Sequence, residues 1–296
     1  MKPVRSSLPV FRGLALAASV AAAVAFSPAV QAELVTPRIS PKASAMQQIG
    51  ITDLSVTYSR PGVKGRTIWG ELVPYDKPWR AGANEPTTFT TTDEITVGGQ
   101  ALAAGSYAVV AIPTKDTWTF AFSKQKDLMG TSNYDEKQDA ARVSVKPSAG
   151  ESQEWLSWTF EDVTPGSASL ALRWDKLRVA VPVTVDVPKI TLAKGKVELA
   201  QAKPDDWRTP YRLAQYTFDF DVAKDEGAKW LDQSIAIKPG YSNLNLKARW
   251  LAKAGDTPGA IAAAKQALEI NKKAETPADA SMLEASLAEW EGKKKS

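Results

Sequence analysis

The sequence predicts an all-β antiparallel sandwich or jelly-roll-like domain followed by an all-α domain of helical hairpins. Three observations predict it. Between about residues 49 and 187, short apolar runs alternate with period two and are separated by turn residues, the pattern of half-buried strands. From Pro204 onward the chain is rich in Ala, Lys and Leu, and apolar residues recur at helical spacing. The 296-residue chain is 44% hydrophobic and 24% charged, the composition of a globular protein and not of a disordered tail.

The first segment reads as an address. Lys2, Arg5 and Arg12 precede an uncharged, Ala-rich run from Gly13 to Phe26, and Val30-Gln31-Ala32 supplies the small residues of a cleavage site. This pattern predicts a signal peptide over residues 1–32, cleaved after Ala32, and a periplasmic or secreted protein. The run is too short for a bilayer, so no membrane span is expected. Its removal takes three cations and no acid, and the formal net charge falls from +4 to +1. A balance that close to neutral gives no basis for nucleic-acid binding. Cysteine and histidine are both absent. That excludes disulfides, a Cys nucleophile, a Ser-His-Asp triad and His-ligated metals. No cofactor and no metal are expected.

The elements follow in order. Residues 33–48, with Pro37 and Pro41, predict an extended linker ahead of a sandwich over 49–187. Leu54, Val56 and Tyr58 alternate with Ser55 and Thr57. Thr87–Thr92 is a β-branched run around Phe89, and Ile95 and Val97 lead into Gly98-Gly99, a hairpin signal. Ser106–Ile112 is nearly continuous in apolar residues, and Trp118, Phe120 and Phe122 alternate again. Strands are also expected at Arg142–Val145, Trp155–Phe160, Ala168–Trp174 and Arg178–Val185. Composition shifts near Pro188, and residues 188–203 are expected as a second linker.

Over 204–296 five helices are expected. Trp207, Tyr211, Ala214 and Phe218 share one face of the first. Ala228, Leu231 and Ile235 mark the second, and Leu244, Ala248 and Leu251 the third, which ends at Gly255. Thr257 reads as the N-cap of the fourth, with Pro258 at its first position. The fifth is expected from near Pro277 to Trp290. Sliding Ala228–Ile237 forward by 33 residues lays it on Ile261–Ile270, a period that resembles tetratricopeptide repeats. Such an array presents a surface for a protein partner, and the plain alternative is a helical appendage without a binding role. Asp219, Asp221, Asp225 and Glu226 lack the glycine spacing of a calcium loop and read as a solvated face.

Chemistry concentrates between Tyr58 and Thr88, a stretch too long and polar for a hairpin turn. Arg60, Lys64, Arg66 and Arg80 accompany Trp69 and Trp79, and the run Trp79-Arg80-Ala81-Gly82-Ala83-Asn84-Glu85 closes the segment. Arginine forks bind carboxylate or phosphate, and an indole stacks on a sugar ring. The candidate ligand-binding set is therefore Arg60, Lys64, Arg66, Trp79, Arg80 and Asn84, with an acidic or sugar-like ligand. The competing reading is structural: Arg66 with Glu71, or Arg80 with Glu85, pins loops as ion pairs, and the tryptophans are core. A third reading is a hydrolase of envelope carbohydrate, using a carboxylate pair from Glu71, Asp76 and Glu85.

Tyr58-Ser59-Arg60-Pro61, Lys64-Gly65-Arg66, Ile68-Trp69-Gly70, Val73-Pro74-Tyr75 and the run from Trp79 to Glu85 closely resemble a bacterial family named only as domain of unknown function 2911. The likeness continues through Gly98-Gly99, Ala104-Gly105-Ser106-Tyr107, Ile112-Pro113 and Trp118-Thr119, and covers roughly residues 47–186. It implies no activity and supplies no catalytic residues.

Overall fold

The computed structural model describes residues 36–125 and 127–292; the expected signal peptide, residues 1–32, lies outside them. Ten strands come first: β1 Lys42–Ile49, β2 Thr52–Ser59, β3 Thr88–Thr91, β4 Ile95–Val97, β5 Gln100–Leu102, β6 Gly105–Pro113, β7 Trp118–Ser123, β8 Asp139–Val145, β9 Ser148–Thr164 and β10 Ser167–Thr184. Six helices follow: α1 Val187–Gln201, α2 Arg208–Asp219, α3 Lys224–Ile237, α4 Tyr241–Lys253, α5 Thr257–Lys272 and α6 Ser281–Trp290. The expected order, antiparallel β then α, is the observed one.

The strands form two antiparallel sheets, ordered β1-β2-β3-β6-β7-β8 and β5-β4-β10-β9. Both line one core. Leu54, Val56, Phe89, Trp118, Phe120 and Phe122 enter it from the first sheet, and Val97, Trp158, Leu172, Trp174 and Val181 from the second. Period-two alternation puts these residues on one face of each strand. From Tyr107 to Ala111 β6 is continuously apolar because both its faces are covered there. Ala108 and Val110 point away from the main core and are buried with Ala121 under Leu128 and Tyr134 of the loop after β7. Gly98 and Gly99 make the expected β4–β5 turn with φ of 52° and 84°, as a two-residue hairpin loop requires.

Several expectations need correction. The stretch read as an extended linker carries β1, paired with β2 along its length from Lys42↔Ser59 to Ile49↔Thr52. It is an edge strand: Lys42, Ser44, Met46 and Gln48 face solvent, while the small Ala43 and Ala45 and then Ile49 pack against the core. The two runs Ala168–Trp174 and Arg178–Val185 are one long strand, β10. The polar break between them is an irregularity in its pairing with β9, where Asp175 takes φ 53°.

The second linker, 188–203, is a helix. The Asp186 side chain caps α1 by accepting from Lys189 N at 3.1 Å, with Pro188 in the first turn. Ile190 enters the sandwich core, whereas Leu192 and Leu199 pack with Leu213 and Leu231 of the helices beyond. Lys189 pairs with Glu94 and Lys194 with Asp93. Burial alone would raise the Asp93 carboxyl, but hydrogen bonds from Lys194, Thr52 and Thr92 outweigh it, and its pKa is lowered.

α2 with α3 and α4 with α5 form two helical hairpins. α2 and α4 begin at Arg208 and Tyr241, and α3 and α5 at Lys224 and Thr257, so each pair repeats after 33 residues. The cap of α5 is Asp256, not Thr257. Its carboxylate accepts from Gly259 N at 2.9 Å, and Thr257 is the first helical residue. α6 starts at Ser281 and not near Pro277, because Asn271 holds Ala278 N–H and C=O in a turn. Asp219, Asp221 and Glu226 are taken up in ion pairs with Arg249, Lys224, Lys253 and Lys196.

Candidate functional site

The loop from Arg60 to Pro86 fastens to both sheets. Pro61–Val63 pairs with the edge of β9: Val63 N donates to Glu154 O at 2.8 Å and Leu156 N to Pro61 O at 3.0 Å. Further on, Trp79 exchanges main-chain bonds with Ala111 of β6 at 2.8 and 2.7 Å. Between these anchors the chain turns sharply. Lys64, Asp76, Ala81 and Asn84 adopt φ of 50°, 59°, 54° and 57°. Each such residue costs on the order of 1–2 kcal/mol, so the surroundings must hold it. The Ala81 carbonyl accepts from Thr87 Oγ1 and from Trp158 Nε1, both at 3.0 Å. Asn84 Nδ2 donates to Ser40 O at 3.0 Å. A Cβ on Gly82 would lie 2.7 Å from Thr87 Oγ1 and 3.2 Å from Ser59 O, so only glycine fits where this loop crosses β2.

The loop encloses a cleft of about 340 Å³. Trp79 and Trp174 lie in its wall, stacked with centroids 6.0 Å apart and planes 19° from parallel. Trp69 and Trp118 pack edge-on behind them, at 5.7 Å from Trp174 and 6.3 Å from Trp79 respectively. Lys64, Arg66 and Arg80 border the cleft. Among the described residues, no carboxylate lies within ion-pair distance of these three cations. The two guanidinium groups bond main-chain oxygens instead, and the Lys64 main-chain N–H donates to the Glu154 carboxylate at 2.9 Å. Arg66 donates to Val63 O (3.1 Å) and Gly62 O (2.5 Å), and Arg80 to Met129 O (2.6 Å). The Lys64 ammonium lies 5.9 Å from the Trp155 ring.

Of the six expected ligand-binding residues, four line the cleft: Lys64, Arg66, Trp79 and Arg80. Arg60 and Asn84 stand outside and hold its walls. Arg60 Nε donates to Leu156 O at 2.8 Å, and Asn84 ties down Ser40. The expected ion pair of Arg66 with Glu71 does not form among the described residues. Glu71, Asp76 and Glu85 are absent from the cleft lining. Glu71 and Asp76 are exposed.

Trp174, Ile39 and Leu72 also line the wall and were not singled out as site residues in the sequence. Trp174 comes from β10, about a hundred residues from the loop. Its only sequence signal is its place beside the polar break at Asp175.

A strap over the outer face of the first sheet supports the Arg80 side. Thr131 Oγ1 donates to Pro78 O at 2.8 Å. The strap is fastened where Tyr134 OH donates to Asp139 Oδ2 at 2.6 Å and Arg142 Nη1 donates to both oxygens at 2.8 and 2.7 Å. Burial, then the Asp139 carboxylate, holds the Tyr134 hydroxyl well above its ordinary range.

Fold and cleft together define a class: a two-sheet β domain with an indole-walled, cation-bordered cleft, carrying an array of helical hairpins. Within it, residues 40–183 match the model of the family described as protein of unknown function DUF2911. No curated protein and no solved structure matches the chain.

Proposed function

We propose that the chain is an exported binding protein, periplasmic or secreted after cleavage at Ala32, whose cleft takes an acidic ligand. One observation carries the reading: Lys64, Arg66 and Arg80 border a cavity beside stacked indoles with no side-chain ion pair among the described residues, and the Glu154 carboxylate nearby is engaged by the Lys64 main-chain N–H. Clustered cations cost self-repulsion, and an anion relieves it. The main-chain acceptors of Arg66 and Arg80 fix each guanidinium while leaving further N–H groups for a ligand. The helical array is the proposed partner-binding unit. Phe218 and Trp250 border a second cavity there of about 210 Å³, edged by Lys224 and Lys253, which supports that assignment.

Thermal unfolding tests the cleft. Wild type and Lys64→Ala are compared with and without acidic sugars, carboxylates and phosphates. An acidic ligand at a hundredfold its Kd stabilises the wild type by about 2.7 kcal/mol, several degrees in Tm, and shifts the variant much less. If no anion moves the wild type, the acidic-ligand reading falls and the loop is a structural signature.

A further inference from the structure

We infer that the ligand is an anionic amphiphile: a hydrocarbon body ending in a carboxylate or phosphate, held one molecule to a cleft. This rests on the acidic-ligand reading and narrows it. The polar side chains in the cleft wall are Lys64, Arg66, Arg80 and the hydroxyl of Ser40; no carboxylate or amide side chain lines it among the described residues. Ammonium and guanidinium groups only donate, so they match an anion and give a sugar's many O–H groups little to donate to. The rest of the wall is apolar and includes Ile39, Pro61, Leu72, Val73, Trp79 and Trp174.

The apolar surface also continues outside. Ile39 is 78% and Leu72 44% exposed at the cleft itself. Met129, 68% exposed, follows from the carbonyl that Arg80 grips, and Trp155, 38% exposed, bridges to Gly62 in the wall. Single exposed hydrophobics are ordinary, but four gathered around three cations form a patch with a chemical meaning. The anion is held by the cations, and the tail covers Ile39 and Leu72.

Calorimetric titration of the full-length chain, expressed for export and purified in its processed form, reads this directly. The probes are hexanoate, octanoate and decanoate below their micelle concentrations, 1-octanol, galacturonate, and vesicles of phosphatidylglycerol. Affinity is expected to rise about three- to fourfold per methylene from hexanoate to decanoate. Octanoate is expected to bind at least tenfold more tightly than 1-octanol or galacturonate. Lys64→Glu is expected to weaken octanoate about tenfold, and Leu72→Ser to flatten the chain-length series. Both side chains are exposed, so ligand-free melting temperatures should match the wild type.

Galacturonate binding as tightly as decanoate overturns the amphiphile inference and leaves the acidic-ligand reading standing. Octanol equal to octanoate overturns both. Binding to vesicles without binding to monomers overturns the cleft as the site and makes the patch a membrane-docking surface. Silence from every probe overturns both readings.

Discussion

The side chains sealed from solvent in the β domain are large: Trp118, Trp158, Trp174, Phe89, Phe120 and Phe122. Those where α4, α5 and α6 meet are mostly small, Ala248, Ala263, Ala264 and Ala267 beside Leu244 and Leu283, while the α2–α3 contact adds Trp230 and Leu231 around Ala214. Geometry explains the difference. Facing sheets stand about 10 Å apart, and only long side chains from both can fill the gap. Helix axes approach to about 8–10 Å, nearest where the contact residues lack bulk. At Gly227 of α3 even a Cβ would sit 1.9 Å from Thr217 Oγ1 and 2.7 Å from Trp250. The β domain should therefore fail when side chains are removed, and the closest helix contacts when they are added.

The largest expected effect tests the first half of that contrast. Trp118→Ala should cost about 3–5 kcal/mol in denaturant unfolding. Trp118→Phe should cost much less, because it also removes a buried indole N–H that has no acceptor. If the phenylalanine variant is as unstable as the alanine variant, burial of aromatic bulk does not describe this core.

Gly227→Ala tests the second half. A gain in helix propensity of about 1 kcal/mol is set against overpacking of about 1–3 kcal/mol, and a net loss of up to about 2 kcal/mol is expected. A stabilised variant would show that α2 and α4 yield easily.

A smaller effect separates the two regions electrostatically. Hydrogen bonds from Arg173 and then Arg178 hold the Glu161 carboxyl at about 2, although burial opposes them. A folded-state pKa below the unfolded one adds stability above the unfolded value, near 4.5, which is lost as pH falls toward 2. Glu161→Gln should therefore cost about 1–2 kcal/mol at pH 7, with the difference from wild type closing between pH 4.5 and 2. Asp221 of the array is also lowered, by Lys253 and Lys224, but it is solvated, and Asp221→Asn should leave the acid limb of the stability curve nearly unchanged. Equal acid sensitivity at the two sites would erase the contrast.

Strands that face water on one side were legible from alternation, as β2 and the β4–β5 hairpin show. β1 was hidden because its partner, not its own composition, makes it a strand. α1 was hidden because Ile190 faces the sandwich while Leu192 and Leu199 face α2, so its apolar residues form no single stripe. In the cleft the cations and Trp79 were legible by residue type and by crowding in one loop. The opposite wall was not. Trp174 reaches it through sheet pairing, and nothing in the spacing of Trp79 and Trp174 announces that they will stack.

Helix α1 also limits how the molecule can be recombined. Because its residues complete both cores, and Val187 presses on Gly50 in the β1–β2 turn so closely that a Cβ there would lie 2.5 Å away, the helical array is not a bead on a string. A chimera that moves the array to another β domain must bring residues 187–201 along and supply a matching notch for Val187. A protease that cuts beyond α1 would leave the sandwich wearing an orphaned helix whose far side has lost its cover.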